Sequence, residues 1–219
     1  MKPKGCAMTS QIPPTAPPTP STASRNPSAV PGWPRPDRPL PAVELRVPTD
    51  EDALHWHRVF NDPEVMEFHG GAPAEPSFYE ELTARQRRHH AELGFCLYTL
   101  LDPADGAVMG FTGAQPWPRD WGPVGEIEIG WRLGRAYWGK GYATAAAITA
   151  LEAVRTAGVR TADVRTAGVR TAGVRHVVAM IDARNARSIA VAHRLGMHHA
   201  ETLLRPVSGR TTHCYRLEV

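Results

Sequence analysis

The chain has 219 residues, 25 Lys and Arg against 22 Asp and Glu, a formal charge of +3 and 42% hydrophobic residues, values that fit one soluble globular domain with an appendage. The charge is uneven: residues 1–41 hold Lys2, Lys4, Arg25, Arg35 and Arg38 against Asp37 alone, which leaves the rest of the chain at −1, too little basic charge for a duplex-DNA binder. There is no apolar run of the ~18 residues that a membrane helix needs, nor the signal-peptide stretch of ~7–15, and three scattered cysteines, Cys6, Cys96 and Cys214, fit neither a disulfide framework nor a zinc site, so a cytoplasmic protein with reduced thiols is expected.

Residues 1–41 contain 12 of the 21 prolines, interleaved with Ser, Thr and Ala. Such a segment lacks the apolar surface to offset its ordering entropy and is expected to be a disordered tail. Globular patterning begins at residue 42. Val43-Glu44-Leu45-Arg46-Val47 alternates like a strand, and Thr49 followed by Asp50, Glu51 and Asp52 supplies a cap and first-turn acids for a helix that Pro63 stops. A second helix is expected from about Ser77 to Glu92, ended by Gly94. Two apolar runs, FCLYTLL and AVMGFTGAQ, are joined by turn chemistry at residues 102–106, which predicts an antiparallel hairpin. EIEIGWRL is a further strand, leading through a glycine turn into the small-residue helix YATAAAITALEAV.

Val-Arg-Thr-Ala-Gly then recurs from Val154, Val159, Val164 and Val169, with Asp163 once in place of glycine. A five-residue period rotates about 140° per copy on a helix and changes side on a strand, so neither element keeps an apolar face. The repeat reads as an expansion that lengthens a helix or bulges as a loop, and its arginines offer a second reading as an RNA grip. Strand HVVAMID, helix ARSIAVAHRLG and two strands joined near Ser208-Gly209 complete the domain.

Two polar turns carry the candidate site. Trp138-Gly139-Lys140-Gly141-Tyr142-Ala143-Thr144 lies between a strand and a helix, where glycines let backbone amides converge with a positive helix end on a pyrophosphate. Asn185-Ala186-Arg187-Ser188 follows the next strand and opens a helix. A plain strand-to-helix turn and a simple Asn cap account for each taken alone. Two adjacent parallel strands leaving toward such turns also create a crevice for a cofactor.

With LRVPTDEDA, FNDPEVMEF, EIGW, WGKGYAT, N-A-R-S and HRLGM in this order over Val43 to Val219, the sequence resembles the GNAT superfamily of acetyl-CoA-dependent N-acetyltransferases, in particular the branch that acetylates N-termini of ribosomal proteins. The resemblance implies an α/β domain with a mixed, mainly antiparallel sheet whose central parallel strands splay. It implies that Trp138 and the amides of Gly139, Lys140, Gly141, Tyr142, Ala143 and Thr144 surround the pyrophosphate of acetyl-CoA. Trp131, Arg132 and Leu133 would pair with its pantetheine arm, Asn185 would bond near that arm, and Arg194 would approach the adenosine phosphate. Ala136 stands where Arg or Gln usually begins the phosphate loop.

Transfer to an amine needs a base and a donor for the departing thiolate. Glu126 and Glu128 share a strand face at i and i+2; Glu128 matches the branch's strand glutamate and is the expected base, with Glu126 second, and a solvated strand face is the bland alternative. The thiol-donor tyrosine of many relatives corresponds to Ala192, which leaves Ser188, with Tyr215 or water as substitutes. His69 falls where the acceptor loop of the branch begins. The spacing of the ten histidines disfavours a metal site. The expected acceptor is a primary amine, such as a protein N-terminus, with a small amine (antibiotic or polyamine) as the rival and a non-catalytic acetyl-CoA-binding module as the alternative from another class. Without tail and repeat the domain is acidic, which favours a cationic amine over nucleic acid; a homodimer is left open.

Overall fold

The computed structural model describes residues 39–160, 165–166, 169–170 and 174–219, those in 159–170 as backbone only. The elements are β1 (Glu44–Arg46), α1 (Asp52–Phe60), α2 (Pro63–Met66), α3 (Pro76–Leu93), β2 (Leu97–Leu101), β3 (Val108–Pro116), β4 (Ile127–Leu133), α4 (Tyr142–Arg160), β5 (Arg165–Thr166), β6 (Val169–Arg170), β7 (His176–Asp182), α5 (Ala186–Arg194), β8 (His198–Leu204) and β9 (Thr211–Glu218). Seven of the strands form one sheet in the order β1-β2-β3-β4-β7-β9-β8. The only parallel contact in it is between β4 and β7, and that ladder has a single registered pair, Glu128 with Val178. Every other neighbour pair is antiparallel over three to seven positions. Beyond Glu128 the two central strands diverge, and the sheet opens there.

The sheet separates two apolar layers. On one side α4 lays Ala145, Ala146, Ala147, Ala150 and Leu151, all essentially solvent-free, against Ile127, Ile129 and Leu133 of β4. Alanine at this density lets the helix approach the sheet closely, and it has the best helix propensity. On the other side α1 and α3 bury Trp56, Phe60, Tyr79 and Leu82 against Leu97 and Phe111. Because β4 alternates, Glu128, Gly130 and Arg132 face this second layer while Ile127, Ile129 and Leu133 face the first.

Several local expectations are corrected. Thr49 is not the cap of α1; its N–H instead donates to Asp52 Oδ2 at 2.7 Å, and Asp52, fully buried, also takes Arg46 through two contacts of 2.9 Å. A carboxylate with that many donors fixes the strand-to-helix corner better than a hydroxyl would. Gly94 ends α3 in the left-handed region at φ 80°, as its position implied. The first repeat copy, 154–158, belongs to α4, with Val154 and Ala157 buried three residues apart; a Cβ on Gly94 would lie 3.1 Å from that of Ala157. Of the later copies, Arg165–Thr166 and Val169–Arg170 pair antiparallel, and the rest fall outside the described residues. So does the predicted tail, except Pro39 to Pro41, where Leu40 packs on the core. No described helix is long and apolar enough to cross a membrane.

Candidate active site

The divergence of β4 and β7 creates a cleft of about 1100 Å³ whose lining includes Trp131, Arg132, Leu133, every residue from Trp138 to Thr144, Asn185, Ser188 and Arg194. The turn is shaped by Gly139 at φ 73° and Gly141 at φ 89°, dihedrals that an L side chain resists. The hydrogen-bond ladder of α4 starts with Ala145 N–H donating to Gly141 O at 3.0 Å. The N–H groups of residues 142–144 therefore have no acceptor within the helix and sit at its positive end, which suits a phosphate. Trp138 supports the turn: its indole N–H donates to Leu133 O at 2.8 Å, and Arg187 lies 4.6 Å over its ring. Arg187 also lines the cleft, although nothing in the sequence beyond its place after Asn185 marks it.

A second cavity of about 650 Å³ lies on the α1–α3 side and contains Glu128. Six residues line both spaces: Phe68, His69, Trp131, Arg132, Asn185 and Ser188. Glu128 is half-buried, and removal from water raises its pKa to about 7 against opposing pulls from Gln115 and from Arg119, Arg132 and Arg205. A chain of amides orients it. Leu97 N–H donates to Gln86 Oε1 at 2.9 Å, Gln86 Nε2 to Gln115 Oε1 at 2.8 Å, and Gln115 Nε2 to Glu128 Oε2 at 3.4 Å. The backbone donor at one end fixes both amide orientations, so Gln115 must offer N–H rather than C=O to the carboxylate. Sequence reading missed both glutamines, because their meeting depends on strand register and helix docking.

Arg132 stacks over Phe60 and Phe111, 5.3 Å from each ring centre, so its side chain serves the second cavity as well as the cleft; burial brings its pKa down to about 10, still charged at neutrality. His69 keeps an exposed edge, yet its pKa is well below the ordinary value, through enclosure in the crevice and then through Arg132 and Arg205. It is a neutral ring at the junction. Asn185 does cap α5, accepting from Ser188 N–H at 3.1 Å through Oδ1, and still borders both cavities. Ser188 is thus the hydroxyl held where they meet.

Two candidates are not brought in. Glu126 lies just before β4, accepts from Arg216 Nη2 at 3.0 Å and sits 3.0 Å from His176 Nε2; it lines neither cavity. Tyr215 is buried with its ring edge-on to His193 and His199, also outside both. Ala192 is fully buried in the core. The local charge also differs from the composition: four arginines, Arg85, Arg119, Arg132 and Arg205, line the second cavity of a domain that is acidic as a whole.

The family model described as an acetyltransferase (GNAT) domain matches residues 42–198. A Bacillus subtilis (strain 168) relative, the uncharacterized protein YkkB, is 30% identical over 162 residues, 74% of this chain and 84% of that one. Among solved structures, a GnaT-family acetyltransferase from Bordetella pertussis superposes with TM-score 0.61 at 22% identity, covering 84% of this chain and 98% of its own. The acetyltransferase yncA of Salmonella typhimurium, determined with its cofactor acetyl-CoA, gives TM-score 0.55 at 17% identity over 80% of this chain and 93% of that one.

Proposed function

Because the chain belongs to the GNAT acetyltransferase family and is an N-acetyltransferase that uses acetyl-CoA, we propose that Glu128 is the base for a primary amine held in the 650 Å³ cavity. The observation that carries this is the junction: a carboxylate with pKa near 7 lies in the second cavity, and that cavity meets the cleft at only six residues. The cleft fits the cofactor through its unpaired first-turn N–H groups, its two left-handed glycines and the stretch of β4 from residue 129 to 133, which has no registered partner on the β7 side. Residues 139–144 would hold the pyrophosphate and Trp131 to Leu133 the pantetheine, with Arg187 and Arg194 of α5 adding positive charge to the lining beside Lys140 and Arg132.

When bound, acetyl-CoA supplies a thioester carbon to which the amine nitrogen bonds as the C–S bond breaks, with coenzyme A leaving as the thiol. Glu128 takes the proton that the amine must lose, and a pKa near 7 lets it release that proton again each turnover. Ser188, held by the N-cap geometry of Asn185, is the hydroxyl available to protonate the sulfur. Holding both reactants at one junction lowers the entropic part of the barrier. Thiol release on adding amines tests the assignment. Glu128→Gln is expected to lower kcat by about 10²–10³ with the acetyl-CoA KM retained; an unchanged kcat rejects Glu128 as the base.

A further inference from the structure

We propose that the amine this enzyme acetylates is a small zwitterion, a primary amine bearing a carboxylate and an apolar side chain, with the carboxylate on Arg205 and Arg119 and the amine toward Glu128. The proposal rests on the reading of the 650 Å³ cavity as the acceptor site. Its basis is charge that the protein leaves unbalanced. Arg85, Arg119, Arg132 and Arg205 line the cavity, against the acids Glu128 and Asp182. Asp182 is already engaged: 2% exposed, it accepts from Arg184 N–H at 3.1 Å and Nε at 3.2 Å. Among the described residues none of the four cavity arginines makes an ion pair.

Arg205 is positioned without being neutralised. Its Nε donates to Thr212 Oγ1 at 2.8 Å and Nη1 reaches Phe68 O at 3.5 Å, both neutral acceptors, so the guanidinium is held in place without a direct ion pair, with Asp182 and Glu128 acting on it only at longer range. Arg132 is pinned between two rings, and its buried Nε lacks a partner. His69, kept neutral, adds no further charge. A planar guanidinium matches a carboxylate in a way that a point charge does not, whereas a polyamine entering here would meet several cations and one titrating acid. Met66, Phe78, Leu82 and Phe111 are among the apolar residues of the lining, and the cavity has ample room for a ligand of amino-acid size. Glu128, whose one hydrogen bond is the 3.4 Å contact from Gln115, is the other carboxylate of the lining besides the engaged Asp182, so a zwitterion offers a partner to the arginines and to Glu128 at once.

The test compares L-phenylalanine, L-methionine and L-leucine with their amides, with spermidine and with a short N-terminal peptide, by thiol release from acetyl-CoA and by calorimetric binding to the coenzyme A-loaded full chain. At least one free amino acid is expected to show kcat/KM tenfold or more above its amide, with spermidine and the peptide below both. Arg205→Gln should raise the amino-acid KM about tenfold, abolish the acid-over-amide preference and leave acetyl-CoA affinity as in the parent, which also verifies folding; Arg205→Lys should restore part of the preference. An amide, peptide or polyamine used as well as the acid, or a preference that survives in the Arg119→Gln, Arg205→Gln double variant, overturns the proposal. If no amine releases thiol, calorimetry separates the two readings: acid bound over amide upholds the zwitterion site and rejects Glu128 as base, while no discrimination rejects both.

Discussion

The 1100 Å³ cleft and the 650 Å³ cavity share six residues but are built by opposite means. The cleft is mainly backbone: two left-handed glycines, a helix end with unpaired N–H groups, and a strand edge released when β4 and β7 part after one ladder pair. The cavity is mainly side chain, drawn from α3, the β3–β4 segment, β4 and the β8–β9 end of the sheet. A backbone site recognises groups that every cofactor molecule carries and tolerates change in most side chains around it. A side-chain site carries the specificity, and single substitutions there should alter what is bound.

The comparison breaks most visibly at Glu128. Its carboxylate is the catalytic form and its pKa is near 7, so kcat/KM should rise with pH through about 7 and lose that limb in Glu128→Gln. Stability should respond in the opposite sense. A folded-state pKa raised above the ordinary 4.5 of a glutamate means that the cost of the buried charge is absent below about pH 4.5 and grows until pH passes 7. Glu128→Gln should therefore unfold like the parent at pH 4 and be more stable by ~1–3 kcal/mol at pH 8 in denaturant titrations. Equal stability at pH 8 would show that the carboxylate is not strained by burial.

On the cleft side, Gly141→Val combines a strained φ with a Cβ that would lie 3.1 Å from Pro41 Cδ. It should weaken acetyl-CoA binding by about 10–100-fold, given ~1–2 kcal/mol of left-handed strain plus the displaced turn, while the acid-over-amide ratio of the acceptor stays constant. A smaller change is expected from Gln115→Leu. Losing the N–H that favours the carboxylate form should move the acidic limb of the pH profile above 7 and lower kcat at pH 7 several-fold, with near-parent rates at pH 9. The smallest kinetic effect belongs to Glu126→Gln: its bonds to Arg216 and His176 are structural, so about 1 kcal/mol of stability is lost and kcat is unchanged. A large kcat loss there would restore Glu126 as the base.

The same contrast explains what could be read from the residues alone. The glycine turn, the alanine-rich helix and the Asn185 cap are contiguous signals, each visible within a few positions, and the structure places the turn, the first residues of the helix and the cap on the cleft. Glu128 was distinguishable from Glu126 only through the family resemblance; both share an alternation face, but one is opposite Val178 inside the sheet and the other is at its margin with Arg216. Arg119 and Arg205 carry no local signature, being 86 residues apart in sequence and brought together by the order of strands. Gln86 and Gln115 depend on how α3 docks across β2 and β3. Charge is legible only as a sum: an acidic total conceals a cavity lined by four arginines, since composition adds over surfaces that never meet.

Pro41 lies so near the turn that a Cβ on Gly141 would meet its ring at 3.1 Å. The segment just before β1 runs beside the turn, with Pro39 and Leu40 in the wall of the cleft, Leu40 packed on the core and Pro41 next to the glycine that precedes α4. A proline has one backbone angle already fixed, so it holds such a contact at small entropic cost. A turn buttressed in this way has less freedom to lose when acetyl-CoA binds, which lowers the ordering penalty of association.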